Sequence, residues 1–272
     1  MAKKRNLEIG IIGAGVMGTA LSVNLLKQGI VKRSQLTLSD KNKEALEQRK
    51  KQLGVNISQN NADLVAKADY IILAIKPQDF MALAEELSAP AAGKKIFLSI
   101  MAGVPLAQLK KRLATQRVVR AMPNLAAKVG QAFVVWKSGC PLSRGEKLFI
   151  DSVFNSLGKS VVVANEDDIN KATAVSGSGP AYFYYFLELL IESARGLGFS
   201  EVLARTMVEQ TIRGAWAVYE QTGAQPSELR AQVSSKGGTT AAALESFQKN
   251  KLDAVIKRGV KAAYIRAKEL SR

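Results

Sequence analysis

No histidine occurs anywhere in the 272 residues. That excludes Ser-His-Asp triads, imidazole acid–base catalysis and histidine-ligated metal centres. Cysteine occurs once, as Cys140, which excludes disulfides within the chain and all-cysteine zinc sites, so no metal is expected. Cys140 sits in SGCPLS, a turn-like stretch, and reads as a bystander thiol. Such sparing use of cysteine fits a reducing compartment, and a cytoplasmic location is expected. No run of about 18 apolar residues is present, so neither a membrane-spanning helix nor a membrane partner is expected. The start, MAKKRNLEIGII, is basic, but its apolar run stops at glycines and lacks the cleavage pattern of a secretory leader. Aromatic residues make up only 6%, and basic residues cluster in runs of three at most. That pattern argues against a nucleic-acid partner despite a net charge of +16.

Apolar residues at 47% and charged residues at 23% give a globular composition, and the length suits two domains. The charge is uneven. Residues 1–165 hold 25 Lys/Arg and 11 Asp/Glu, a net +14, whereas residues 166–272 hold 14 and 12, a net +2. A basic first part can attract a small polyanion such as a dinucleotide. It alternates strand-like runs, LEIGII (7–12), QLTLS (35–39), YIILAI (70–75), KIFLSI (95–100), RVVRAM (117–122), AFVVW (132–136) and SVVVA (160–164), with helical stretches such as 16–29 and 42–54. Strands separated by helices imply a parallel sheet covered on both faces. After residue 165 only helical patterns remain, at 181–198, 203–223, 240–250 and 252–271. The reading is therefore an α/β domain over 1–164 followed by an all-α domain over 165–272. The helix at 181–198 is apolar nearly all round, from Tyr182 to Ile191, and needs burial on most faces. A second copy of the chain is the natural cover, so a homodimer or higher homo-oligomer is expected.

The first strand runs into Gly13-Ala14-Gly15-Val16-Met17-Gly18, a G-x-G-x-x-G between a strand and a helix. Gly13 allows the tight turn, Gly15 lets the backbone approach a pyrophosphate, and Gly18 permits close helix–strand packing, as in Rossmann-type dinucleotide domains. The helix start offers unpaired N–H groups to phosphate. The second strand ends in Ser39-Asp40-Lys41. An acidic residue there holds the ribose of NAD, while Ser39 and Lys41 suit the 2′-phosphate of NADP. The basic domain tilts the balance to NADP, with NADPH preferred and NADH open.

Five further segments occur in order: AIKPQ (74–78), SIMAGV (99–104), RAMPN (120–124), VSGSGPAY (175–182) and SSKGGTTAAALE (234–245). Together with the glycine loop they resemble the pyrroline-5-carboxylate reductase family over the whole length. The resemblance implies a Rossmann-type domain for NAD(P)H, a helical domain that makes a domain-swapped dimer, and reduction of 1-pyrroline-5-carboxylate to proline. By the same resemblance Ala74, Ile75, Lys76 and Pro77 line the cofactor, and Asn61 contacts the adenosine ribose. Ala102, Gly103, Met122, Pro123 and Asn124 lie near the nicotinamide. Ser235, Gly238, Thr239 and Thr240 hold the substrate carboxylate, and Thr240 is the hydrogen-bond partner of the ring nitrogen, hence the catalytic candidate. Read from the residues alone, 237–240 is a helix start with Thr239 or Thr240 as N-cap. SGSGP (176–180) reads as the capped start of the long helix. Two departures from the family pattern stand out: Lys236 where proline is usual, and Leu125-Ala126 where Thr-Pro is usual. Rival readings are a reductase of another cyclic imine or small carbonyl, and a catalytically weakened nucleotide-binding paralogue.

Overall fold

A computed structural model describes residues 7–87 and 95–271, so the basic first six residues lie outside the described residues. Packing divides the chain into two compact units, Met1–Ser178 with Ala263–Arg272, and Gly179–Ala262. Composition placed the cut after residue 164; packing places it later, and returns the chain end to the first unit. The cause is a set of polar ties. The Tyr264 hydroxyl donates to Asp167 Oδ2 at 2.6 Å, and the Arg120 guanidinium donates to Glu166 Oε1 and Asn170 Oδ1, each at 2.8 Å, and to Ser271 Oγ at 3.2 Å.

Among the described residues the first unit has eight strands: β1 (Ile9–Ile12), β2 (Leu36–Ser39), β3 (Asn56–Ile57), β4 (Tyr70–Leu73), β5 (Ile96–Ser99), β6 (Val118–Met122), β7 (Ala132–Ser138) and β8 (Gly158–Val162). They form one sheet in the order β3-β2-β1-β4-β5-β6-β7-β8. Every neighbouring pair is parallel except β6 and β7. The expected parallel sheet needs this one correction. Only a 3₁₀ turn, Leu125–Val129, joins those two strands, and a parallel crossover needs a dozen or more residues. The two-residue β3 was not read from the sequence, being too short to show a pattern.

Alternate residues of the central strands feed two cores. Tyr70, Ile72, Ile96 and Leu98 pack on one face, and Ile71, Leu73 and Phe97 on the other. The first face is covered by α1 (Val16–Lys27), α2 (Lys43–Leu53) and α6 (Arg144–Asn155), the second by α3 (Asn61–Lys67), α4 (Phe80–Glu86) and α5 (Leu106–Arg112). Helix α2 illustrates how local chemistry sets boundaries. The Asn42 side chain accepts from the Ala45 N–H at 3.0 Å, and Gly54 closes the helix in a left-handed conformation. Helix α7 (Asp167–Ala172) and a π-helical turn, Thr173–Gly177, complete the unit. Ser176 and Gly177 belong to that turn, and the long helix begins at Gly179, within SGSGP as expected.

The second unit is helical: α8 (Gly179–Gly196), α9 (Glu201–Thr222), α10 (Pro226–Gln232), α11 (Thr239–Lys249) and most of α12 (Leu252–Leu270). No strand follows Val162 among the described residues. Its buried apolar cluster is small, consisting of Ile191, Ala194 and Ala204. Among the described residues no helix is long and apolar enough to cross a membrane.

Candidate active site

The strand order reverses at β1: β2 and β3 lie to one side, β4 and its successors to the other. In open α/β sheets the crevice beyond the carboxyl ends of the strands flanking this reversal is where ligands bind. A cavity of about 390 Å³ opens there. Its floor is Ile12, Gly13 and Gly15 after β1 and Ala74, Ile75 and Lys76 after β4. Asp40 and Lys41 after β2, and Asn61 at the start of α3, close one side. Asp79, Ala82, Leu83 and Glu86, from the 3₁₀ turn Pro77–Asp79 and from α4, close the other.

The glycine corner fits a dinucleotide. Gly13 has φ of +106°, and a Cβ there would stand 2.5 Å from the Ala74 carbonyl oxygen, so no other residue fits. A Cβ on Gly18 would stand 1.8 Å from the Gly13 oxygen, which fixes α1 against the strand. At Gly15 the same added atom meets nothing within 4 Å. That is the open approach a pyrophosphate requires. Gly15 is also the N-cap of the 12-residue α1, and no side chain caps the helix, leaving its first N–H groups for an anion.

The polar rim is tied together. The Asp40 carboxylate accepts from the Ala14 N–H at 2.6 Å and from the Asn42 N–H at 2.8 Å, joining the glycine loop to the turn after β2. The Asn61 Oδ1 accepts from the buried Ser39 hydroxyl at 2.5 Å, while its Nδ2 donates to Glu86 Oε2 at 2.8 Å. Lys41 Nζ lies 2.8 Å from Asp79 Oδ1 across the mouth. The Asp79 hydrogen bond and charge, with a smaller push from Asp40, hold the ammonium above the usual lysine range, so Lys41 is charged at neutral pH.

Of the residues expected from sequence, the cavity brings together Gly13, Gly15, Lys41, Asn61, Ala74, Ile75 and Lys76. Ala14, Val16, Met17 and Gly18 form the loop and first turn behind it, Ser39 supports Asn61, and Pro77 starts the adjoining 3₁₀ turn. Ala102 and Gly103 follow β5, Met122 ends β6, and Pro123 and Asn124 follow it. These five are not in this cavity wall but continue the same carboxyl edge of the sheet. Gly103 has φ of +74° and packs on Leu270; Asn124 Nδ2 donates to the Ser176 carbonyl and hydroxyl, both at 3.1 Å.

Ser235, Gly238, Thr239 and Thr240 belong to the second unit. Gly238 is the N-cap of α11, and its N–H donates to the Ser235 carbonyl at 3.0 Å. Thr239 and Thr240 are the first helical residues, which corrects the reading of either as N-cap. Their N–H groups stand at a helix start, where no acceptor exists within the helix.

A family profile described as pyrroline-5-carboxylate reductase dimerisation matches residues 166–270, and one described as NADP oxidoreductase, coenzyme F420-dependent, matches residues 8–103. A curated pyrroline-5-carboxylate reductase from Pasteurella multocida is 35% identical over 270 residues, spanning 97% of this chain and 98% of that one. This chain belongs to the pyrroline-5-carboxylate reductase family. Two solved pyrroline-5-carboxylate reductase structures are similar throughout. That from Coxiella burnetii has a TM-score of 0.89 at 31% identity, covering 98% of this chain and 100% of that one. That from Plasmodium falciparum, with NADP bound, has 0.87 at 28%, covering 99% and 100%. In this family member, sequence reasoning missed the α4 side of the cavity, including two charged residues, Asp79 and Glu86. Asp79 could have been flagged from its place three residues after Lys76 at a helix start; Glu86 gives no local signal.

Proposed function

We propose that this chain reduces 1-pyrroline-5-carboxylate to L-proline with NADPH, the last step of proline synthesis. The observation that carries the reading is the glycine-cornered cavity at the strand reversal, in a chain that matches its family from end to end. The Gly13–Gly18 loop and the start of α1 take the pyrophosphate. Lys41 takes the 2′-phosphate, with Ser39 behind it holding Asn61 toward the adenosine ribose. Ala74 to Pro77 flank the cofactor, and Ala102, Gly103, Met122, Pro123 and Asn124 border the nicotinamide end. Bound there, NADPH supplies the hydride that adds to the imine carbon, and a proton ends on the ring nitrogen.

Ser235, Gly238, Thr239 and Thr240 hold the substrate carboxylate through helix-start N–H groups and hydroxyls. Lys236 adds a positive charge beside them. With no histidine in the chain, the Thr240 hydroxyl positions the ring nitrogen by a hydrogen bond, and a protonated iminium brings the needed proton itself. The helical domain joins two copies, and the location is the cytoplasm. The test is NADPH oxidation with 1-pyrroline-5-carboxylate. Turnover is expected, and Thr240→Ala should lower kcat by about 10–10³-fold. Turnover with other cyclic imines only would replace the substrate, and unchanged kinetics in the variant would remove Thr240 from the mechanism.

A further inference from the structure

Among the described residues three carboxylates face the cofactor cavity, and they are not equivalent. Asp40 spends its two oxygens on the Ala14 and Asn42 backbone N–H groups. Glu86 spends its two on Asn61, one on the N–H at 3.3 Å and one on Nδ2 at 2.8 Å. Both are bound into the wall. Asp79 instead holds an exposed side-chain cation, Lys41, at 2.8 Å. The Lys41 side chain is 80% exposed and that of Asp79 35%. An ion pair in that setting is weak, because water competes for both partners and holding a long side chain in one geometry costs entropy.

We propose that Asp79 sets the balance between NADPH and NADH by holding Lys41 until a 2′-phosphate takes its place. The proposal rests on the cavity being the cofactor site. A phosphate monoester carries about −1.5 to −2 charges and offers three strong acceptor oxygens, so it outcompetes a single carboxylate for the ammonium. When Lys41 turns to the phosphate, the Asp79 carboxylate is left on the rim of the same cavity and repels the newcomer. A ribose 2′-hydroxyl is neutral and neither breaks the pair nor meets that repulsion. Asp79 therefore works against the phosphorylated cofactor, and Lys41 works for it. The pair keeps both cofactors usable where Lys41 alone would favour one strongly.

Binding of 2′,5′-ADP and of 5′-AMP to the whole protein, followed by calorimetry, isolates the 2′-phosphate from the chemistry. In Asp79→Asn the preference for 2′,5′-ADP over 5′-AMP should rise about three- to tenfold, the scale of an exposed ion pair plus relieved repulsion. In Lys41→Met the same preference should fall by a similar factor. Asp79→Ala, which cannot accept from Lys41, should follow Asp79→Asn. Parallel KM values for NADPH and NADH should move in the same directions. A preference unchanged or lowered in both Asp79 variants overturns the exchange while leaving the cofactor site standing. Failure of the wild-type protein to bind either nucleotide strikes the cofactor reading and the exchange together.

Discussion

In the first unit, Ile11, Leu38, Ile72 and Leu98 are wholly buried, and helices cover both faces of the sheet. In the second, α8 turns Phe183, Tyr184, Tyr185 and Phe186 to the outside, with between 47% and 62% of each exposed. Four consecutive residues span almost the whole circumference of a helix. A single neighbouring helix cannot cover them, so a partner must wrap α8 from more than one side. The two units treat apolar surface differently: one closes over its own sheet, and the other leaves α8 with aromatic surface for another copy of the chain to cover. That is the physical content of the dimerisation profile over residues 166–270.

The harshest way to break this contrast is to charge the bare face. Replacing Phe183 and Tyr185 together by Asp removes two aromatic anchors per copy. Full burial of such a side chain contributes about 1.5–3 kcal/mol, and about half of each is still exposed in the single chain, so the loss is roughly 3–6 kcal/mol per dimer before the cost of burying charge. Analytical ultracentrifugation should show monomers, and turnover should collapse. The first unit, whose core lies elsewhere, should keep its folded signature and its nucleotide binding. A variant that stays dimeric would show that α8 is not the surface that joins the copies.

A smaller blow falls on the self-sufficient unit. Arg120 lies within β6 with its side chain only 2% exposed, bonded to Glu166, Asn170 and Ser271. Arg120→Met keeps the bulk but leaves the Glu166 carboxylate without its cation. Breaking a buried pair from one side costs about 3–5 kcal/mol. Glu166 still accepts the Leu106 N–H at 2.8 Å and its side chain is 29% exposed, so the low end, about 3 kcal/mol, is expected. Calorimetry should show the melting of the first unit lowered by roughly 6–12 °C, with dimerisation intact. A shift shared equally by the whole molecule would mean that the units do not unfold separately.

The same contrast explains what the sequence revealed. The glycine corner was legible because the tight turn, the close helix and the phosphate approach each demand glycine at a fixed spacing. The strands were legible because burial on both faces makes unbroken apolar runs, and α8 because a helix oily all round has no soluble explanation on its own. Strand direction was not legible from periodicity, which reports burial and not the partner's orientation. The short link between Met122 and Ala132 did carry that information, since it leaves no room for a crossover helix. Asp79 and Glu86 escaped because each acts through a residue far away in sequence, Lys41 and Asn61. The return of the chain end to the first unit escaped for the same reason: it depends on Tyr264 meeting Asp167 and Ser271 meeting Arg120.

The gentlest test asks whether that returning end is held as the contacts indicate. The Tyr264 hydroxyl, donating to Asp167, is the largest influence holding that carboxyl below the usual range, aided by Asn170, Lys268 and Lys171. The same bond holds the Tyr264 phenol above its usual range. A depressed carboxyl contributes stability above its unfolded pKa of about 4 and loses it as pH falls through the folded value. A raised phenol contributes below its unfolded pKa of about 10 and loses it as pH rises through the folded value. The two windows overlap across neutrality. Tyr264→Phe should therefore be slightly less stable than the parent between about pH 4 and 10, and the urea midpoints should converge in more acidic and more alkaline solution. No difference across neutrality would mean that the ring's packing, which phenylalanine keeps, and not the bond to Asp167, holds the end of α12 in the first unit.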